Sequence, residues 1–202
     1  DNDYILKAAA EIPVMLVNGY LEGKNIYSTV CDDYAAVYDA VSRLIHSGSR
    51  RILYLYTSYS YSGLNKMDGY KSALISCGLP VREDLIHQCP KNIEDARDLL
   101  LRLAEQGIDF DAVVTSDDSL AVGAVKYAHA RHISIPDKFS VIGYNNSLLA
   151  RCTDPEITSI DSRVEFLCTT TVQTLMRVFS GAAVPGRTTI ASELIKRNTT
   201  NF

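Results

Sequence analysis

Several features are scarce in this chain, and each scarcity removes a class of function. There is no CxxC pair: the five cysteines, Cys31, Cys77, Cys89, Cys152 and Cys168, are scattered and odd in number. That pattern argues against a disulfide framework and for free thiols in a reducing compartment. There is no basic block. Arg50-Arg51 and Lys196-Arg197 are the only clusters, the net charge is −4, and the pI is about 5.5. A chain of this balance is not expected to grip a phosphate backbone by itself. No run approaches a membrane span and no signal peptide opens the sequence. Histidine is rare, with four residues, and only His129 and His132 lie near each other, three apart on an expected helix. A solvent-facing pair explains them better than a metal site does, and no metal or cofactor is expected. G-x-S-x-G, the P-loop and G-x-G-x-x-G are all absent, and no His stands at a strand end to serve as a base.

What is present is ordinary globular material, 202 residues with 47% hydrophobic and 22% charged, enough for one large domain or two lobes. Strand and helix signals alternate along it. "IPVMLV" (12–17), "IYSTVC" (26–31), "RILYLYT" (51–57), "DLIHQ" (84–88), "DAVVTS" (111–116) and "FSVIGY" (139–144) read as strands. Between them "YAAVYDAVSRLIHSG", "LNKMDGYKSALISCG" and "IEDARDLLLRLAEQG" read as helices stopped by Gly48, Gly78 and Gly107. A further helix is expected from Asp118 to about His132. "VEFLCTTTVQTLMRVFSG" follows as a helix and "TTIASELIKRN" as a terminal strand. The opening "DNDYILKAAAEIPVMLVNG" reads as the middle of something, as if earlier βα units preceded it.

Apolar strands alternating with helices imply an α/β fold with parallel sheets covered on both faces. In such sheets ligands sit outside the carboxyl ends of the strands. The residues to watch are therefore Asp32, the "TSYSYS" loop, Asp117-Asp118 and Asn145-Asn146. All are short and polar, which suits binding better than a reaction, because no nucleophile, base or metal accompanies them. Asp118 is expected to cap its helix, leaving Asp117 to point at the crevice. Asp32 suits a helix cap better than a contact. Asn145 either reaches the crevice or makes a simple Asx turn. Tyr59 and Tyr61 could stack on a sugar ring or a purine face.

Taken in order, the motifs resemble the effector-binding core of the lac repressor (LacI/GalR) family of bacterial transcription regulators. "IPVMLVN" and "VCDDYAAVYDAVSRLIHSGSRRILYL" match its early segments, and "MDGYKSAL" its R-x-x-G-[FY] helix. "VVTSDDSLAVGAVKYAHARHISIPDKFSVIGYNN" matches its long central block, with "DPEITSID" and "ELIKRNTT" closing. The resemblance implies a two-lobed periplasmic-binding-protein-like type I fold, with parallel sheets flanked by helices, three strand crossovers and an incomplete first lobe. It places residues 1–49 plus 158–183 in the N-terminal lobe, and 50–157 plus 184–202 in the C-terminal lobe.

The same resemblance implies a cytoplasmic, homodimeric, non-enzymatic core of a repressor-type regulator. Such a core binds a small polar effector, a sugar or sugar-like compound, between its lobes. Operator DNA would be reached only through a helix-turn-helix absent from this chain. Ser60, Ser62, Lys66, Asp117, Asn145 and Asp32 are the ligand-binding positions carried over. Lys66 stands where the family has arginine, and a point charge replaces the bidentate fork. Asp117 stands where Asn is common and Asn145 where Asp is common, a swapped charge layout that suggests a different effector. The rival reading is a periplasmic solute-binding protein of a transporter, which the free thiols disfavour. An enzyme on a flavodoxin-like sheet would need a nucleophile or cofactor loop that the sequence lacks.

Overall fold

The structure, a computed structural model, describes residues 2–202. It holds two sheets. The larger has six strands: β3 (Ile52–Tyr56), β4 (Ile86–Gln88), β5 (Ala112–Thr115), β6 (Ser140–Tyr144), β7 (Thr158–Asp161) and β9 (Glu193–Ile195). Their order is β4-β3-β5-β6-β7-β9, parallel except for β9, which runs antiparallel to β7. The smaller sheet joins β1 (Val14–Val17), β2 (Ile26–Cys31) and β8 (Arg187–Ile190) in the order β1-β2-β8, all parallel.

Every residue of β3, β5 and β6 is buried, as continuous apolar runs require when helices cover both faces. On one face lie α2 (Asp33–His46) and α3 (Tyr61–Ser76), which pack on Ile52, Tyr54, Val114 and Ile142. On the other lie α4 (Ile93–Glu105) and α5 (Asp118–Ala130), which pack on Leu53, Leu55, Val113 and Val141. α2 and α3 approach closely because Gly69 has no side chain: a Cβ there would sit 2.4 Å from the Tyr34 carbonyl oxygen. The smaller sheet has a far thinner core, Cys31, Leu167 and Ile190, where α7 (Val164–Phe179) crosses β2. α1 (Asp3–Glu11) buries only Ala9. A short helix, α6 (Leu148–Arg151), completes the set.

The sheets divide the chain differently from the expected boundaries of 1–49 plus 158–183 and 50–157 plus 184–202. The chain leaves the small sheet at Cys31, returns to it after Asp161 and leaves again at Ile190. α2, expected in the first lobe, lies on the six-stranded sheet. Its apolar stripe of Val37, Ala40, Val41, Leu44 and Ile45 is buried against α3, with Tyr54 and Tyr70 in the same cluster. β7 likewise belongs to the larger sheet. "TTIASELIKRN" is two strands rather than one, broken at Ala191-Ser192, where the chain crosses between the sheets.

The C-terminal segment pins this arrangement. Thr199 is fully buried; its hydroxyl donates to Val141 O at 2.6 Å and accepts from Thr158 N at 2.9 Å, bridging β6 and β7. Thr199→Val keeps the shape and removes both bonds, leaving a buried N–H without its acceptor. We expect a loss of about 2 kcal/mol in unfolding free energy by urea titration, with secondary structure by circular dichroism unchanged.

Candidate functional site

The carboxyl ends of β3, β5, β6 and β7 open on one side of the larger sheet, next to the three crossovers into the smaller one. β6 ends at Tyr144, and Asn145 and Asn146 follow with φ of 96° and 48°. Asn tolerates this left-handed backbone better than other non-glycine residues, so the chain can turn sharply here. The turn also depends on Gly143, where a Cβ would fall 2.2 Å from Asp118 Oδ1. The vacated space admits the buried Asp118 carboxylate, which accepts from Ser159 Oγ at 2.6 Å and from Ser147 N at 2.6 Å. Burial pushes its carboxyl above the usual range, against the lowering effect of those bonds.

Asp118 therefore does not cap α5, contrary to the sequence expectation. Asp117 does: its Oδ1 accepts from Ser119 N at 3.0 Å and Ser119 Oγ at 2.7 Å. The same carboxylate also faces the crevice, where Oδ2 accepts from Asn145 Nδ2 at 2.9 Å and pairs with Lys91 Nζ at 2.7 Å. Burial alone would raise its pKa, but the bonds from Lys91 and Ser119 outweigh burial and hold it below the usual 3.8.

Lys66 projects from α3 toward the same place. It is only 7% exposed, its Nζ donates to Ser116 O at 3.4 Å and stands 3.5 Å from the centroid of the Tyr144 ring. Burial pulls its pKa down, with Asp33 and Asp117 opposing. Ser62, one turn earlier on the same face of α3, is buried. Ser60 accepts from Gly63 N at 3.1 Å as the cap of α3. Asp32 accepts from Ala35 N at 3.1 Å as the cap of α2 and lines a separate hollow of about 240 Å³ with Ala191 and Ser192. Lys66, Asp117 and Asn145 are thus brought together, Ser62 lies beside Lys66, and Ser60 and Asp32 are engaged in capping.

The sequence reading did not single out several groups that complete the site. The Tyr144 hydroxyl donates to Asp33 Oδ1, while Asp33 Oδ2 is buried without a partner. Cys31 Sγ donates to Ser162 O at 3.3 Å, tying two crossovers together. Burial, with Asp33 adding to it, pushes the Cys31 thiol up to about 11, so it stays protonated and inert at neutral pH. Asn146 donates to Asp161 Oδ2 at 3.0 Å and accepts from Arg197. A cavity of about 450 Å³ opens here, lined by Asn145, Asn146, Asp161, Arg163, Glu165 and Phe166 among others. Tyr59 is exposed and its hydroxyl meets that of Tyr56, whose pKa is pushed up to about 12 by burial and by this contact. Tyr61 instead faces Tyr20 and Arg187 of the small-sheet lobe, with ring centroids 5.9 Å apart. His129 and His132 do not share a helix, since α5 ends at Ala130 and His132 has φ of 55°. No signal in one sequence marks Asp33 or Lys91 as part of the site, because each arrives from a distant element.

Comparison with known proteins fits this geometry. Residues 41–200 match the family described as periplasmic binding protein-like domain. The chain is 55% identical over all 202 residues to an HTH-type transcriptional regulator of Lachnoclostridium phytofermentans, of which it covers 61%. It is 29% identical over 197 residues to the HTH-type transcriptional regulator AscG of Escherichia coli, 97% of this chain and 58% of that protein. The chain thus spans about six tenths of these curated relatives. The crystal structure of the E. coli transcriptional repressor ascG superposes with a TM-score of 0.85 at 29% identity, over 98% of this chain and 72% of that one. A sugar-binding transcriptional regulator of the LacI family from E. coli, crystallised with phosphate, superposes with a TM-score of 0.87 at 29% identity, over 98% and 71%.

The Asp117 geometry fixes a pH response. A carboxyl held below its unfolded value stabilises the fold above about pH 3.8 and loses that contribution as pH falls through the folded value. Asn still caps a helix through its one oxygen, so Asp117→Asn removes the charge and, as protonation of the carboxylate would, one acceptor facing Asn145 and Lys91. We expect the variant to be less stable than the parent at about pH 6, and the gap to close as pH falls toward about 3, read by chemical denaturation at each pH.

Proposed function

The chain belongs to the periplasmic-binding-protein-like family, in the form carried by LacI/GalR transcriptional regulators, and from that premise we propose that it is the ligand-responsive, dimer-forming effector core of a bacterial repressor-type regulator. The effector is a small polar metabolite, a sugar or sugar-like compound, held where the larger sheet's strand tips face the smaller lobe. One observation carries this reading. Lys66, Asp117 and Asn145 come from three elements, lie dozens of residues apart, and converge outside the carboxyl ends of adjacent parallel strands. That is where open α/β sheets hold ligands. A LacI-family regulator 29% identical in sequence and described as sugar-binding supports the same class.

The site sits against three crossovers that are bonded to one another. Cys31 reaches Ser162, and Asp32 N donates to Ile190 O at 2.8 Å. A ligand that bridges the lobes therefore favours one lobe disposition, and it shifts the equilibrium by its difference in affinity for the two. In the whole protein that shift would reorient a paired set of helix-turn-helix heads, which lie outside these residues and reach operator DNA in the cytoplasm. A dimer follows from two-fold operator reading.

The experiment is a thermal-shift screen of sugars, nucleosides and amino acids, followed by operator binding of the whole protein with and without each hit. We expect at least one compound to raise the unfolding temperature and to change operator affinity. Asn145→Ala should weaken that compound by about tenfold, the scale of one lost polar contact in a desolvated site. A hit that stabilises Asn145→Ala as strongly as the parent would remove the site from the cleft.

A further inference from the structure

The effector-cleft reading leaves the ligand's chemistry open, and the hydrogen-bond capacity left at the site narrows it. Asp117 is the obvious acceptor for sugar hydroxyls, yet the protein already fills it. Oδ1 takes Ser119 N and Ser119 Oγ, and Oδ2 takes Asn145 Nδ2 and Lys91 Nζ. Two oxygens with about four lone-pair sites have no capacity left for a ligand donor. Asp118, next to it, is buried and engaged with Ser147 and Ser159. Asp161, farther along, accepts Arg163 N at 2.7 Å on one oxygen and Asn146 Nδ2 on the other, and it lies beside Arg163 rather than Lys66.

The donors are in the opposite condition. An ammonium has three N–H groups. Lys66 uses one, in a 3.4 Å contact with a carbonyl, and rests its charge on the Tyr144 ring; it makes no ion pair among the described residues although it is 7% exposed. Asp33 is near enough for its charge to favour the ammonium, yet its buried Oδ2 has no hydrogen-bond partner and makes no ion pair with Lys66. Lys91 uses one N–H, on Asp117, and is 64% exposed. Asn145 keeps one amide hydrogen and its carbonyl oxygen. A buried cation that two carboxylates favour only at a distance, with no direct ion pair, is costly, and an anion brought into contact by a ligand offsets that cost.

Resting on the reading of this cleft as an effector site, we infer that the effector is anionic, a small hydroxylated compound whose carboxylate or phosphate is placed between Lys66 and Lys91. The oxyanion takes the unused N–H groups of the two lysines, and Asn145 uses its free N–H and oxygen on a neighbouring hydroxyl. Asp117 serves as the anchor that aims Asn145 and Lys91 rather than as a ligand contact. A point-charge ammonium suits one oxyanion without the planar two-point fit of a guanidinium, so Lys66 in place of arginine is consistent with this chemistry.

The test is calorimetric titration of the full chain at fixed ionic strength with matched triplets: glucose, glucuronate and glucose 6-phosphate, then galactose, galacturonate and galactose 6-phosphate. Acetate and inorganic phosphate are run as bare anions. The inference expects an acidic member of a triplet to bind at least about tenfold more tightly than its neutral parent, the scale of one charge-assisted contact. Which acid wins tells carboxylate from phosphate, and binding of a bare anion supports the same conclusion. Lys66→Gln and Lys91→Gln should each erase most of the preference; Lys91 is on the surface, so its variant remains informative if Lys66→Gln does not fold. Neutral parents that bind as well as their acids, or an acid preference indifferent to both substitutions, would overturn the inference and leave the effector cleft standing. Silence from every compound would overturn both.

Discussion

The site depends on one buried carboxylate. Asp118 begins α5, lies under Gly143 of β6, and holds Ser159 of β7 and the backbone of Ser147. An ionised group in such a place is tolerated only when its oxygens are fully bonded, and each of these bonds fixes a different element. With the amino end of α5 locked to β6 and β7, the turn through Asn145 and Asn146 has one path. Asn146 N then donates to Ser159 Oγ at 3.0 Å, the hydroxyl that itself donates to Asp118. Asp117, adjacent in sequence, can cap the helix and still present Oδ2 to Asn145, because its backbone is extended while Asp118 is already helical.

The same economy appears at the hinge. Three chain segments pass between the sheets, and polar contacts tie them to each other and to the floor of the cleft. Tyr144 takes part in both. Its ring carries the Lys66 charge on the cleft side, and its hydroxyl donates to Asp33, the first residue of α2, on the hinge side. The lobes also touch at the far edge, where Arg187 lies over the rings of Tyr20 and Tyr61. Lobe movement would have to break or reshape that contact while the crossovers flex, which gives this lobe disposition a specific set of interactions to lose.

The sequence made the larger sheet easy to read. Unbroken apolar runs such as Ile52–Tyr56 and Ser140–Tyr144 have no face to turn to water, and Gly48, Gly78 and Gly107 all take the positive φ that ends a helix. Asp32 capping α2 was legible for the same local reason. What escaped depended on tertiary context. Either of two adjacent aspartates could cap α5, and only the space above Gly143 decides between them. α2 carries a stripe that any sheet could bury, so the stripe does not name its lobe. The crossing at Ala191-Ser192 interrupts a run that looks like one strand, because a residue period of two continues on both sides of it. Lys66 is carried over as a ligand-binding position, but nothing beside it in the sequence marks it as buried, and its burial under the Tyr144 ring depends on a residue far along the chain.

The swapped charges at 117 and 145 acquire a physical meaning from that burial. Were residue 145 an aspartate, its carboxylate would lie within hydrogen-bond distance of Asp117, and two like charges there would force one of them to hold a proton. As an amide, Asn145 donates to Asp117 instead, and the pair becomes a fixed donor–acceptor unit with Lys91 closing its outer side. The net effect is to move negative charge away from the point where a ligand would enter, and to leave Lys66 as the strongest unpaired feature of the floor. If the effector is anionic, as inferred above, a site arranged this way would select by charge before it selects by hydroxyl pattern. Discrimination among hydroxyl isomers would then fall to groups with capacity to spare, such as Asn145.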